Sequence, residues 1–168
     1  MKIALSIITA LIVTGCATQR GFPARNQINN FSQVDARLYR GAQPPYSSFA
    51  DLAALGVKSV VNLRQSGDEL PDEETFVKLA GMTYTNLPMS GVHVPSHNQM
   101  NHILATVEAL PGPVYVHCQF GCDRTGLVVG CWRIRHDGWT NDKAVEEAKA
   151  FGASDLLPNF RHFLATFK

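Results

Sequence analysis

The stretch VHCQFGCDRTG, Val116 to Gly126, directly follows an apolar run and places an arginine six residues after its first cysteine. A buried strand, PVYVHC, leads into it, and a helix starting near Arg124 leads out. A strand, a short turn and a helix start leave several backbone N–H groups unpaired, all aimed at the space above Cys118. Such a nest, with the helix dipole behind it, binds a phosphate-like oxyanion. Gly121 and Gly126 ease the turn and the close approach of backbone. Arg124 stays charged and forks two N–H bonds onto two oxygens of one phosphoryl group. In that field the Cys118 thiol ionises readily, and a thiolate beneath a bound phosphoryl group is a nucleophile in position.

The surrounding chain alternates strands and helices. KSVVNLR and TYTNLPM read as strands, and VDARLYRGAQPP as a short strand or turn ending at Pro44 and Pro45. YSSFADLAALGV reads as a helix capped by Ser47 or Ser48 and closed by Gly56. LPDEETFVKLAGM reads as another, with Pro71 in its first turn and Gly81 at its end. A third helix starts near Ser96, Thr140 caps a fourth over NDKAVEEAKAFG, and LPNFRHFLATFK forms a last amphipathic one. The fold class is therefore α/β: a single domain with a mostly parallel central sheet of about four to five strands flanked by helices.

Length and composition agree with one globular domain: 168 residues, 45% hydrophobic, with no internal repeat. Fifteen Lys and Arg against fourteen Asp and Glu exclude broad electrostatic attraction to nucleic acid, so any anion must be gripped locally. The first sixteen residues, MKIALSIITALIVTGC, carry one lysine and then an uncharged stretch from Ile3 to Gly15. That stretch is shorter than the roughly 20 residues of a spanning helix and has the layout of a secretory signal. The expected division is a signal peptide over 1–15, a polar tether over 16–27 and the domain over 28–168.

Two resemblances add to this reading. Val13-Thr14-Gly15-Cys16 resembles a bacterial lipobox, with Val13 where leucine is commoner. It implies lipid attachment at Cys16 and a location in the bacterial cell envelope, anchored in a membrane and facing the periplasm or exterior. HCQFGCDRTG resembles the phosphate-binding loop HC-x5-R-[ST] of the cysteine-dependent protein tyrosine phosphatase superfamily. With LYRGAQP, VVNLR and LPMSG, it is most similar to the compact dual-specificity-type phosphatases of bacteria, plants and fungi. The resemblance spans about residues 28 to 153.

It implies that Cys118 attacks phosphorus to form a phosphocysteine, while Arg124 and the loop amides of Gln119, Phe120, Gly121 and Cys122 hold the oxygens. Thr125 would hydrogen-bond the thiolate, Gly126 would start the helix close to the substrate, and His117 would tune the ionisation of Cys118. Neither metal nor other cofactor is required. The partners implied are a phosphorylated protein or small phosphomonoester and, through the lipid, a membrane; oligomeric state stays open. Gln119, Phe120 and Cys122 bear on substrate choice, because the loop holds one arginine and no lysine. This favours a single phosphate, as on phosphotyrosine or another aryl phosphate, over highly phosphorylated inositols or phosphoinositides, with phosphoserine, phosphothreonine and a lipid phosphate still open.

The general acid departs from the family pattern, since no Asp or Glu lies between Glu74 and Glu108. His93, in the matching loop, and Asp123, within the motif, are the candidates, with Asp68 in RQSGDELPDEE as a more distant one. Asp123 also has a structural reading, as a carboxylate that holds the loop by accepting N–H bonds. Cys122 has the alternative of a disulfide with Cys118, and Cys131 reads as a buried apolar residue. A zinc site from His117, Cys118 and Cys122 lacks a second ligand pair. Sulfur transfer, arsenate reduction and a non-catalytic phospho-binding module remain as rival functions.

Overall fold

In the computed structural model, which describes residues 20–155 and 157–168, the chain begins with strands β1 (Ser32–Gln33) and β2 (Leu38–Gly41). It continues through α1 (Ser48–Ala54), β3 (Ser59–Asn62), α2 (Glu73–Leu79) and β4 (Thr83–Asn86). Next come α3 (His97–Ala109), β5 (Val114–His117), α4 (Asp123–His136), α5 (Asn141–Ala150) and α6 (Pro158–Thr166). The expected signal stretch and Cys16 lie outside the described residues.

The five strands form one sheet in the order β1-β2-β5-β3-β4, parallel except for β1. This is the expected α/β fold with its mostly parallel sheet. Strand β5 is central, and alternation along the strands sends side chains to two separate layers. Val60 and Tyr115 pack with Phe49, Leu52 and Val77 under α1 and α2. Val61 and Val116 pack with Met100, Ile103, Val128, Phe160 and Leu164 under α3, α4 and α6. Cover on both faces leaves β3 and β5 buried at every position.

Helix α4 is enclosed by neighbours, buried continuously from Arg124 to Trp132. Gly130 allows this enclosure: a Cβ there would stand 2.7 Å from two methyl carbons of Leu164. Two helix starts follow from their caps as expected, since Ser96 accepts from Gln99 N at 3.1 Å and Thr140 from Lys143 N at 3.3 Å. The other two differ. Ser47 occupies the cap of α1 without a side-chain bond, and the Ser48 hydroxyl donates instead to Asn26 O at 3.1 Å. Helix α2 begins at Glu73, beyond Pro71, after Asp72 adopts a left-handed φ of 57°. That placement turns Glu73 into the interior.

The described part of the expected tether is packed onto the domain. Arg20 reaches Asp123 and Gly152 O, Phe22 stacks edge-on against Phe151 at 4.6 Å, and Asn30 Oδ1 accepts from Phe22 N at 2.6 Å.

Candidate active site

Strands β2, β5 and β3 end together, with Gly41, His117 and Asn62 side by side in the sheet. The loop between β5 and α4 therefore emerges at the carboxyl edge of a parallel sheet, where open α/β folds place ligands.

Three supports from elsewhere in the chain set the loop's shape. Gln119 O accepts from Gln43 N at 3.2 Å, Phe120 O from Asn30 Nδ2 at 2.9 Å and Gly121 O from Arg40 Nη2 at 3.0 Å. Among the described residues, no backbone N–H from Gln119 through Arg124 donates a hydrogen bond. The carbonyls are tied outward and the amides are left for an anion. Gly121, at φ +70°, is required: a Cβ there would lie 2.5–2.7 Å from the backbone of Gly41 and Ala42.

Cys118, the first residue after β5, is 3% exposed, and Arg124 in the first turn of α4 is 7% exposed. Arg124 Nη1 bonds Asp68 Oδ2 at 2.8 Å. Met89 O accepts from the same nitrogen at 3.4 Å. A Cβ on Gly91 would meet Arg124 Cζ at 4.0 Å, so the 89–94 loop walls the guanidinium. Arg40 lies fully buried behind the loop, 3.7 Å from the centre of the Phe151 ring. Burial lowers its pKa to about 10, against the opposing pull of Glu147 at 3.8 Å.

His117 is fully buried, with Nε2 2.9 Å from Glu73 Oε1, although the contact lies off the ring N–H direction. Glu73 also accepts from Gln43 Nε2 at 2.7 Å and Asn62 Nδ2 at 2.6 Å. Burial opposes its charge, but His117 and the Gln43 amide, with Arg64 nearby, more than offset that and hold its pKa below the usual carboxylate value. Gln43 Oε1 in turn accepts from Arg64 Nη1 at 2.9 Å, and Arg64 Nη2 bonds Asp68 Oδ1 at 3.1 Å. A continuous polar chain thus runs from the residue beside Cys118 round to the Arg124 guanidinium.

The remaining expected site residues are distributed unequally. Asp123 accepts from Arg20 Nη2 at 2.9 and 3.0 Å and from Ser154 N at 2.6 Å, so its carboxylate braces the loop against the N-terminal segment and the turn after α5. His93 is exposed, with Nδ1 3.2 Å from Ser90 Oγ. Cys122 is a free thiol that accepts from Asn30 Nδ2 at 3.2 Å and donates to Phe120 O at 3.3 Å. Burial pushes its pKa up to about 11, which suits a structural thiol. Cys131 is buried and free, its pKa raised further by burial. Thr125 is buried, and its hydroxyl has no hydrogen-bond partner among the described residues. Among the described residues no three His, Cys, Asp or Glu gather to hold a metal ion.

Sequence reading alone missed Glu73 as the partner of His117 and Asn30 as the loop's support. The signals were faint: an acidic residue in a helix's first turn and an unremarkable asparagine.

The family described as "DSP-PTPase phosphatase fused to NAD+ Kinase" matches residues 20–157, most of the chain. This chain belongs to the DSP-PTPase phosphatase family. Among relatives, the dual specificity protein phosphatase TpbA of Pseudomonas aeruginosa (strain UCBPP-PA14) is 31% identical over 128 residues, 75% of this chain and 56% of TpbA. The inositol diphosphatase SIW14 of Saccharomyces cerevisiae is 31% identical over 129 residues, 73% of this chain and 45% of SIW14. The chain thus spans about half the length of these two curated relatives. The solved structure of TpbA superposes with a TM-score of 0.74 at 27% identity, covering 90% of this chain and 92% of that one. The catalytic core of SIW14, described as a PP-IP phosphatase and solved with citrate, gives 0.71 at 30% identity over 83% and 86%. A TpbA variant was solved in complex with pTyr, with a TM-score of 0.74 at 26% identity, covering 91% of this chain and 93% of that one. The matched residues include the whole loop from Cys118 to Arg124.

Proposed function

We propose that this chain hydrolyses phosphomonoesters through a phosphocysteine, and that a phosphotyrosyl or dual-specificity protein substrate is its main target. The observation that carries this is the inward row of amides from Gln119 to Arg124, held by outward-tied carbonyls, between a buried thiol and a buried guanidinium.

The phosphoryl oxygens fill that row and the Arg124 fork, and charge develops where donors are already in place. The Cys118 thiolate attacks phosphorus in line with the departing oxygen. Glu73 pins His117 beneath it, and the buried Arg40 behind the loop adds positive potential. The unpartnered Thr125 hydroxyl is the donor available to the sulfur when water later displaces it. Asp123 keeps its bracing role, and Gly126 brings the helix start close to the substrate.

Substrate choice follows from the rim. Arg124 is the only cationic side chain between Cys118 and Gly126, whereas Phe120, Val92 and Val94 are exposed apolar residues beside the pocket. An aryl ring suits that rim better than additional phosphates, and the TpbA variant solved with pTyr supports it. A second reading has one observation in its favour: Arg64, paired with Asp68 next to the clamp, supplies a further cation for a multiply phosphorylated inositol, as the description of SIW14 suggests.

A substrate panel separates the two. The purified protein is expected to have a kcat/KM for a phosphotyrosyl peptide at least about tenfold above that for an inositol polyphosphate or pyrophosphate, a difference of roughly 1.4 kcal/mol. The reverse ranking transfers the site to inositol phosphates.

A further inference from the structure

Departure of an alkoxide or phenoxide from phosphorus needs a proton, and the loop facing the site holds none on a carboxyl group. No Asp or Glu occurs from Thr75 to Val107, and the Asp123 carboxylate is engaged by Arg20 and by Ser154 N. Another carboxylate does reach the anion pocket. Asp68 lies on the turn after β3, where its N–H donates to Gln65 O at 2.9 Å and Gly67 takes a φ of +83°. Its Oδ2 is 2.8 Å from Arg124 Nη1 and its Oδ1 is 3.1 Å from Arg64 Nη2. The next residue, Glu69, turns back to accept from Gly67 N at 2.9 Å, so Asp68 is the member of this acidic run that faces the clamp. Its side chain is 35% exposed, open to both a leaving group and water.

We propose that Asp68 is the general acid of the reaction, delivered to the site by Arg124 itself. This rests on the phosphatase reading above. Arg124 Nη1 is the donor that a phosphoryl oxygen takes, so the incoming phosphate displaces the Asp68 carboxylate, 2.8 Å from that nitrogen, and leaves it beside the reacting group. Released from the guanidinium and open to water, the Asp68 carboxylate picks up the proton that the step needs. As the Cys118 sulfur–phosphorus bond forms and the phosphorus–oxygen ester bond breaks, the Asp68 proton passes to the departing oxygen. In the second step the ionised Asp68 takes a proton from water as the water oxygen bonds to phosphorus and the sulfur leaves. Atoms and charges balance over the cycle, which yields alcohol or phenol and inorganic phosphate.

The charged groups around Asp68 are Arg64 beyond β3, Arg124 of α4, Glu69 beside it, and Glu73 of α2 behind Gln43. His93, on the facing 89–94 loop, is the competing donor.

The test compares Asp68→Asn with His93→Ala on two aryl phosphates, 4-nitrophenyl phosphate with a good leaving group and phenyl phosphate with a poor one. Asp68→Asn is expected to cost less than about tenfold in kcat on the first and roughly 10²- to 10⁴-fold on the second, and to lose the basic limb of the kcat–pH profile. Inhibition by vanadate should persist in it, because Arg124 and the amides are untouched. His93→Ala should keep both the leaving-group dependence and the limb of the wild type. Equal losses by Asp68→Asn on both substrates, or transfer of the signature to His93→Ala, overturn the proposal. If the wild type releases no more phosphate than Cys118→Ser from either substrate, the phosphatase reading itself fails, a separate outcome.

Discussion

Replacing Cys118 with serine is expected to lower kcat on 4-nitrophenyl phosphate by about 10⁴-fold or more, to background, while phosphate and vanadate still bind. Cys118 is 3% exposed, and a hydroxyl of nearly the same size fits there without moving the loop. What changes is nucleophilicity. A thiol gives up its proton far more readily than an aliphatic hydroxyl, and the thiolate is the nucleophile. Phosphate release assayed across pH 5 to 8, with a circular dichroism spectrum matching the wild type, checks the result. Turnover that persists unchanged in the serine variant means that the reaction uses another nucleophile. The non-catalytic reading predicts equal phosphate binding and no turnover in either protein.

The second large effect is expected at Arg124→Lys. A lysine keeps the charge but not the planar fork, so it reaches one phosphoryl oxygen where arginine holds two. Loss of a single preorganised donor of this kind costs roughly 10²- to 10³-fold in kcat. The effect should fall mainly on kcat, because the loop amides still bind the ground-state phosphate while the transition state's equatorial oxygens lose their clamp. Steady-state kinetics on an aryl phosphate check it. A variant with only a raised KM would show that Arg124 binds substrate and transition state equally.

Features with local causes were legible in the sequence. The motif from His117 to Gly126 specifies a strand end, an anion nest and a helix start within ten residues, and Ser96 and Thr140 mark helix starts by their own hydroxyls. The α/β class followed from alternating strand and helix patterns, although β1, two residues long, was too short to announce itself. Features made by distant residues were not legible. Asp68 and Arg124 are 56 residues apart, and Arg20 and Asp123 are 103 apart. Nothing near Asp123 says that an arginine from the N-terminal segment and the Ser154 amide will occupy it. Likewise Glu73 looks like an ordinary acidic residue at a helix start until the fold draws it against His117. Arg40 lies in VDARLYRGAQPP, which announces only a short strand or turn. Its complete burial under the loop depends on Phe151 and Glu147, which arrive more than a hundred residues later.

The same geometry explains why two cysteines four residues apart differ. Cys118 opens the loop just after β5, whereas Cys122 points behind the loop to Asn30 and the Phe120 carbonyl, where burial keeps its thiol protonated.

The central claim is a covalent bond between the Cys118 sulfur and phosphorus. Acid quenching of the protein during turnover of 4-nitrophenyl phosphate, followed by peptide mass spectrometry, tests it most directly. The account predicts one added phosphoryl group on Cys118, absent from the Cys118→Ser protein and accumulating further in Asp68→Asn, where hydrolysis by water loses its base. Active turnover with no phosphorylated Cys118 at any quench time, or with the phosphoryl group on another residue, would contradict it.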